Sequence, residues 1–404
     1  MTNIADEERA HGAVRPVDIT VLGTADWNQP IATNQHYVVR EMARGDYSLI
    51  TFVESIGLRR PQPTLRDLRR IARRLGRAAR GGERATTPSW RELPPRTAVV
   101  SPVVVPLHTR SLERLNSQLL RRSVDSASVT PGATRVLWTY SPVTYGLEKD
   151  ADLVVYHCVD LLGTVPGIDR NLIDRHEKSL AATGALAIAT SEVVREHLAR
   201  QGFSGVRLWE NVADVERIMS LTANSTRQAG RAIFAGNLSP TKIDYELIRI
   251  LCKSDLEVVL AGPRAEGGGK DEEQFDSLIA AGAKYVGMLS ADELAHEMGR
   301  STVGLIPYVN NAYTRGVSPL KVYEYLAAGL AVVSTEIPGV HSEPDAIWLE
   351  SRASSFVDRV KVLAEIPSED DISHRHEIAS GHSWLKRGKQ VRELLDDATS
   401  GVVH

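Results

Sequence analysis

Lys321 and Glu324 are the residues of this 404-residue chain whose types and spacing indicate chemistry most clearly. Lys321 lies in the first turn of a predicted helix, and Glu324 lies three residues later. The helix opens with Ser318, a favoured cap residue, and Pro319, a proline that loses no hydrogen bond there. Free backbone N–H groups point out of such a helix start, which carries about half a positive charge and binds anions. A lysine has the wrong sign for this end of the helix dipole, so a normally bound anion would account for it.

Glu324 shares a helix face with Lys321, where its carboxylate is placed to accept hydrogen bonds from ribose hydroxyls. The alternative is a plain helix on which the two side chains form a surface ion pair. The context favours the anion site, because a strand ends at Pro307, a loop leads to the helix, and an apolar strand follows Gly329.

Asp160 is a second candidate, because it lies just past the carboxyl end of a predicted strand at 153–158. Ligands of doubly wound sheets gather at that edge. The alternative is that Asp160 caps a loop or a short helix. His157 is a rival proton acceptor, but alternation along the strand would bury it.

Short apolar runs alternate with helical stretches along the chain, which predicts α/β architecture with parallel sheets. Expected strands fall at 17–23, 48–53, 97–105, 135–140, 153–158 and 185–189, and the rhythm restarts with strands at 232–235, 256–261, 302–307 and 331–335. Expected helices fall at 34–43, 169–182, 241–252, 290–300 and 319–328. The pattern predicts two Rossmann-like domains, residues 15–212 and 213–382, followed by a C-terminal helix within 383–404.

Bulk properties set limits on the class of protein. The 42% hydrophobic and 25% charged composition is that of a soluble globular protein, and the net charge of −3 gives no reason to expect nucleic-acid binding. Cys158 and Cys252 are far apart in sequence, which suits buried thiols in a reducing compartment. The polar N-terminus and the lack of a long apolar run predict a cytoplasmic protein.

The segment SPLKVYEYLAAGLAVVST resembles the nucleotide-sugar signature of the GT-4-like glycosyltransferases, which have the two-domain GT-B fold. The order of features is most similar to the bacterial exopolysaccharide branch that includes the xanthan glucuronosyltransferase and teichuronic-acid-type enzymes. This resemblance implies that the helix start with Ser318 and Lys321 holds a diphosphate and that Glu324 holds ribose. It also implies a last helix, near 383–397, that crosses back to the first domain.

Further site residues follow from the same resemblance. The catalytic aspartate of the xanthan-type enzymes matches Asp160, which would take the proton of the acceptor hydroxyl. The candidates for donor binding in the second domain are Tyr308, Gly236, Asn237, Lys242 and Arg315. The candidates for the acceptor side are Asp26, Trp27, Asn28 and Glu177, with His176 beside the last. A structural role is the alternative at each of these positions: a turn glycine, a core aromatic or a solvated helix face.

The resemblance implies transfer of a sugar from a nucleoside diphosphate, with UDP assumed, to a carbohydrate or glycolipid acceptor. Many retaining members carry a second glutamate eight residues before the ribose-binding one, and Gly316 stands there in this chain, so inversion is favoured. A nucleotide-sugar epimerase of the same fold and a non-catalytic nucleotide-sugar-binding protein are the alternatives. No G-x-G-x-x-G fingerprint follows the first strand, which argues against a nicotinamide enzyme.

The stretch 65–80, from Leu65 to Arg80, is a predicted amphipathic helix with an arginine-rich face. Such a helix either docks on an anionic membrane surface or packs on the first domain with a solvated basic face. No metal is expected, because the histidines show no H-x-x-x-H or H-E-x-x-H pairing and a cationic helix start replaces the metal in this fold. No other cofactor is expected.

Overall fold

The computed structural model describes residues 15–29, 32–59, 92–125, 129–165, 167–264 and 270–399. The arginine-rich stretch 65–80 lies outside these ranges, so its docking on a membrane stays a prediction of the sequence.

The first half of the chain forms a parallel sheet of seven strands in the order β3-β2-β1-β4-β5-β6-β7. Its strands are Val17–Leu22 (β1), Leu49–Val53 (β2), Thr97–Val100 (β3), Thr134–Thr139 (β4), Leu153–Cys158 (β5), Leu186–Ala189 (β6) and Arg207–Leu208 (β7). Its helices are Asn34–Met42 (α1), Glu113–Asp125 (α2), Arg170–Ala181 (α3) and Glu192–Gln201 (α4). Apolar side chains are buried on both faces of the sheet, as a doubly wound fold requires.

The second half repeats this plan with six parallel strands in the order β10-β9-β8-β11-β12-β13. These strands are Arg231–Ala235 (β8), Glu257–Ala261 (β9), Lys284–Gly287 (β10), Val303–Ile306 (β11), Ala331–Thr335 (β12) and Ile347–Glu350 (β13). The helices are Val215–Thr222 (α5), Tyr245–Cys252 (α6), Lys270–Ala280 (α7), Ala291–Gly299 (α8), Lys321–Ala327 (α9), Ala353–Leu363 (α10), Glu369–Gly381 (α11) and Trp384–Thr399 (α12).

Two elements are shorter than the sequence predicts. In each case a side chain forms a hydrogen bond with a backbone N–H at or near the end of the element. Strand β3 stops at Val100, and the Val105 N–H instead donates to the Asn116 side chain of α2 at 2.8 Å. Helix α6 begins only at Tyr245, because the Asp244 carboxylate accepts the N–H of Leu247 at 3.0 Å and caps the helix.

Helix α12 follows α11 directly and packs against the first half of the molecule, as the sequence predicts. Trp384 stacks on Tyr37 with ring centroids 4.9 Å apart, and Arg392 donates to the Glu41 carboxylate at 3.0 Å. The backbone at Gly388 is so close to α1 that a Cβ atom would lie 1.9 Å from the Glu41 Oε2 atom. The expected architecture, two doubly wound sheets and a crossing helix, is therefore confirmed.

The chain passes between the two halves twice, and the two passages are hydrogen-bonded to each other. Ala213 donates its N–H to the His382 carbonyl at 3.0 Å, and Trp384 donates to the Ala213 carbonyl at 3.1 Å. The halves are thus connected by a paired hinge at Ala213 and Ser383.

The packing of α12 predicts that Leu395→Ala lowers the free energy of unfolding by about 2–5 kcal/mol, because Leu395 is fully buried against the first sheet. Leu385→Ala on the same helix is the matched control, since Leu385 is 60% exposed, and we expect a change within about 0.5 kcal/mol. Chemical denaturation of both variants measures the difference. Equal losses would contradict the docking of α12.

Candidate active site

Asp160 lies immediately after β5, at the carboxyl edge of the first sheet. Its loop is held in place, because Thr190 donates to the Val159 carbonyl at 2.7 Å and the Cys158 thiol donates to the Asp160 carbonyl at 3.4 Å. Burial raises the pKa of the Asp160 carboxyl, and the charge of Lys242 lowers it in part. The carboxyl is therefore a stronger proton acceptor than an ordinary aspartate, opposite a lysine of the second half.

Lys242 lies in the turn between β8 and α6, with its Nζ atom 4.9 Å from the centroid of the Tyr308 ring. The turn is fixed to the neighbouring loop, because Val309 donates to the Lys242 carbonyl at 3.0 Å and Asn311 donates to the Thr241 carbonyl at 2.8 Å. Burial lowers the pKa of Lys242, but the phenol oxygens of Tyr308 and Tyr313 together with Asp160 outweigh burial and raise it. Lys242 therefore stays cationic.

The Asp160 loop touches the second half at a short turn, Thr314–Gly316. Ser191 donates to the Gly316 carbonyl at 3.0 Å, and a Cβ atom at Gly316 would lie 3.0 Å from the Leu161 Cδ1 atom. The two halves therefore meet beside Asp160, and Leu161 occupies the space that a longer side chain at position 316 would need.

Ser318 does not cap α9, which corrects the expectation from the sequence. Asn211 donates its N–H to the Ser318 hydroxyl at 3.3 Å and its side-chain amide to the Ser318 carbonyl at 2.6 Å. Ser318 is thus engaged by the first half, and the cap position falls to Leu320, which has helical backbone angles and makes no side-chain cap bond. The helix begins at Lys321 after a tight Pro319–Leu320 turn.

Lys321 donates a hydrogen bond to Glu324, which is the intrahelical pair that the sequence left open as an alternative. The two side chains keep 19% and 18% of their surface exposed. Glu324 also acts electrostatically on Tyr37 and Asp214, so α9 opens towards α1 and the hinge. A ligand there would exchange the Lys321–Glu324 contact for contacts of its own.

The other donor-side candidates differ in exposure. Asn237 and Arg315 are exposed, whereas Tyr308 is buried beneath Lys242 and is chiefly a core aromatic. Gly236 packs closely against the second sheet, because a Cβ atom at this position would lie 3.2 Å from the Phe234 Cζ atom. Gly236 therefore has a structural role whether or not a ligand binds beside it.

Two acceptor-side candidates are core residues and cannot contact an acceptor in this conformation. Trp27 is buried against Phe52, with ring centroids 5.2 Å apart. Its backbone N–H donates to the Glu54 carboxylate at 2.9 Å, which holds the residue in this position. Glu177 accepts the Tyr156 hydroxyl at 3.0 Å inside the first half, and His176 is buried beside it.

Asp26 is half-buried and Asn28 is exposed, so these two acceptor-side candidates remain accessible. They lie in the loop that follows β1, whose carboxyl end belongs to the same sheet edge as that of β5. Asp26 and Asn28 are therefore accessible in that loop, whereas Trp27 is not.

His157 is buried in an aromatic cluster with Trp138, Tyr140 and Trp209, and neither ring nitrogen has a hydrogen-bond partner. Burial, helped by the charge of Arg387, lowers the pKa of His157 to about 3. The ring is thus neutral and enclosed. Asp160 is the better-placed proton acceptor of the two.

Among the described residues, Asp174, Glu177 and His197 bring ligand atoms within 4.8 Å of one another, which is close enough for a metal ion. Glu177 already bonds both Tyr156 and His197, the latter at 2.7 Å, and Asp174 faces Arg170 at 3.6 Å. The cluster belongs to α3 and α4 rather than to the Asp160 loop. Independence from a metal stays a prediction.

Tyr313 and Asn211 carry no functional signal in the sequence, but both lie at the junction of the halves in the structure. Asn211 bridges them by bonding both Asn34, at 2.5 Å, and Ser318. Burial and the charge of Asp160 raise the pKa of the Tyr313 phenol, and the charge of Lys242 lowers it. Both residues are near segments that the sequence analysis selected as candidate sites. Their position at the junction depends on contacts with residues far away in sequence, which the sequence does not show.

Part of the chain matches known proteins by sequence. Residues 230–365 match the family described as Glycosyl transferases group 1. TuaH of Bacillus subtilis, named as a teichuronic acid biosynthesis glycosyltransferase, is 26% identical in a match that covers 59% of this chain and 66% of TuaH, just under two thirds of that protein.

Solved structures with the same fold cover nearly the whole chain. Sucrose-phosphate synthase from Thermosynechococcus elongatus superposes with a TM-score of 0.64 at 13% identity, over 95% of this chain and 100% of that one. HepE from Anabaena, in complex with UDP and glucose, gives 0.61 at 15% identity, over 94% and 100%. At these identities the likeness establishes the fold.

The chain therefore has a GT-B fold. Its segment 230–365 is similar to the family Glycosyl transferases group 1. The resemblance to GT-4-like enzymes read from Ser318, Lys321 and Glu324 is thereby confirmed. Within the described ranges, no helix combines the length and the apolar character needed to cross a membrane.

His157 predicts a pH dependence of stability. The unfolded chain binds a proton at His157 below about pH 6.5, whereas the folded protein does not until about pH 3, so folding loses stability as the pH falls between these values. We expect His157→Phe to reduce the slope of unfolding free energy against pH by up to about 1.4 kcal/mol per pH unit in this window. Leu385→Ala, which changes an exposed side chain without an ionisable group, is the control, and its slope should match the wild type. An unchanged slope in His157→Phe would refute the buried neutral ring.

Proposed function

We propose that this protein transfers a sugar from a nucleoside diphosphate sugar to an acceptor hydroxyl, with inversion at the anomeric carbon. The observation that carries the proposal is the junction of the halves beside Asp160, where the Asp160 loop meets the Thr314–Gly316 turn and the charge of Lys242 acts on the Asp160 carboxyl. A GT-B fold and a glycosyl transferases group 1 domain support this assignment.

Asp160 acts as the general base. As the acceptor oxygen attacks the anomeric carbon, its proton passes to the Asp160 carboxylate, and the bond from that carbon to the diphosphate oxygen breaks. The raised pKa of Asp160 brings it closer to the working pH, where general bases are most effective. A separate acid is unnecessary, because a nucleoside diphosphate leaves readily once its charge is neutralised.

Lys242 and Lys321 supply that neutralisation from the second half. Lys242 is held cationic over Tyr308, and Lys321 opens α9 with Glu324 one turn later. Binding of the diphosphate would draw Lys321 from Glu324 and release the carboxylate for the ribose hydroxyls. Preorganised positive charge of this kind stabilises the charge that develops on the leaving group.

Gly316 supports inversion rather than retention. The position at which many retaining relatives carry a glutamate has no side chain here, and Leu161 packs against it. A single carboxylate, Asp160, then serves the reaction, which is what direct displacement needs.

The nucleotide and acceptor classes rest on the relatives. HepE is in complex with UDP-glucose in one of the matching structures, and TuaH is named for teichuronic acid biosynthesis. We propose UDP as the nucleotide and a carbohydrate or glycolipid precursor of a surface polysaccharide as the acceptor. Such an acceptor would place the enzyme at the cytoplasmic face of the membrane.

Asp160→Asn should lower the transfer rate by about 10²-fold or more while UDP affinity stays unchanged, because the amide keeps the shape of the carboxylate but takes up no proton. Product formation and UDP titration on the same preparation measure the two quantities. Asp46→Asn, at a fully exposed carboxylate paired with Arg96 on the opposite sheet end, is the control. Full activity in Asp160→Asn would remove this residue from the mechanism.

Lys321→Ala should weaken UDP binding by about tenfold, because a charged contact to the diphosphate is lost. A thermal-shift titration with nucleoside diphosphates and their sugars, with EDTA present, measures this, since a ligand at about 100 times its Kd adds roughly 2.7 kcal/mol. Lys284→Ala, which removes an exposed lysine on edge strand β10, is the control.

The same assays separate the alternatives. An isomeric sugar nucleotide formed without acceptor would indicate an epimerase, whereas donor binding with no turnover would indicate a binding protein. Absence of any stabilisation by nucleoside diphosphates would contradict the proposal.

A further inference from the structure

Arg59 belongs to the segment that leaves β2 at the carboxyl edge of the first sheet. It forms an antiparallel backbone bridge with Ile168. A Cβ atom on the adjacent Gly167 would lie 3.9 Å from the Arg59 Cγ atom. Arg59 therefore lies against the stretch of chain that begins at Asp160.

The segment that carries Arg59 is held by buried hydrogen bonds. The Glu54 carboxylate accepts from the Trp27 N–H at 2.9 Å and from the Ser101 hydroxyl at 2.5 Å. His108 bonds the Gly57 carbonyl through its Nε2 atom at 2.8 Å. Arg59 is thus presented by a fixed piece of backbone, which reduces the entropy lost when its side chain binds a partner.

The charge of Arg59 is not neutralised within the described ranges, where no carboxylate lies within ion-pair distance of its guanidinium. The side chain is exposed. The charge of Arg59 nonetheless acts on Tyr313 of the second half. Burial and then Asp160 raise the pKa of the Tyr313 phenol, and Arg59 lowers it. Arg59 and Asp160 therefore both act on Tyr313 at the junction of the halves.

We propose that Arg59 binds an anionic group of the acceptor, a carboxylate or a phosphate, beside the hydroxyl that Asp160 deprotonates. This inference rests on the proposed transferase function and specifies its acceptor class. In the proposed mechanism, Lys242 and Lys321 of the second half bind the donor diphosphate, whereas Arg59 belongs to the first half. The planar guanidinium suits a carboxylate or phosphate through two parallel hydrogen bonds.

The anion has two sources with the same chemistry: a uronic acid residue or the phosphate of a lipid-linked sugar. Three octyl glycosides separate them: octyl glucoside as the neutral reference, octyl glucuronide, and glucosyl octyl phosphate. Calorimetry on the full chain, with and without UDP, gives their affinities. We expect at least one anionic glycoside to bind about tenfold or more tightly than octyl glucoside.

Arg59→Gln should abolish this preference and leave UDP affinity unchanged, and Arg59→Lys should retain part of it. Arg96→Gln is the matched control, because Arg96 is also an exposed arginine of the first half but pairs with Asp46 at 3.0 Å at the far end of the sheet. Equal affinity of the wild type for the three glycosides, or a preference that survives in Arg59→Gln, would overturn the anion site. Failure of the wild type to bind UDP would contradict the proposed function instead, and the two failures are distinguishable.

Discussion

The contact between the Asp160 loop and the Thr314–Gly316 turn is the constraint on which the junction of the two halves depends. A serine hydroxyl from the first half bonds the Gly316 carbonyl, and Leu161 packs where a side chain at 316 would stand. Because this approach is close, a carboxylate on one half acts on an ammonium group of the other, without either lying in the core of its own domain.

The hinge and helix α12 keep the Asp160 loop and the Thr314–Gly316 turn in contact. Ala213 and Ser383 pair the two passages of the chain, and α12 returns to lie along α1. Asn211 then bonds Asn34 and Ser318, one from each half. Among the described residues, individual hydrogen bonds rather than a shared sheet join the halves at this junction, which is compatible with opening for substrate entry and closing for reaction.

The sequence was sufficient to predict the fold, but not the local roles of residues that depend on distant partners. The alternation of apolar runs predicted both sheets, and the Lys321 segment predicted the family. Ser318 looked like a helix cap, yet Asn211 engages it from the other half. Trp27 and Glu177 looked accessible, yet Phe52 and Tyr156 enclose them. Arg59 carried no signal, because only its bridge to Ile168 reveals its place.

A crystal structure with bound UDP would show whether the donor diphosphate lies between the two halves. We expect the diphosphate to contact Lys242 and Lys321, Glu324 to turn to the ribose, and the Asp160 carboxylate to face the terminal phosphate from the other half. Phosphates bound away from both lysines, or an Asp160 carboxylate turned from the nucleotide in the closed molecule, would contradict this expectation.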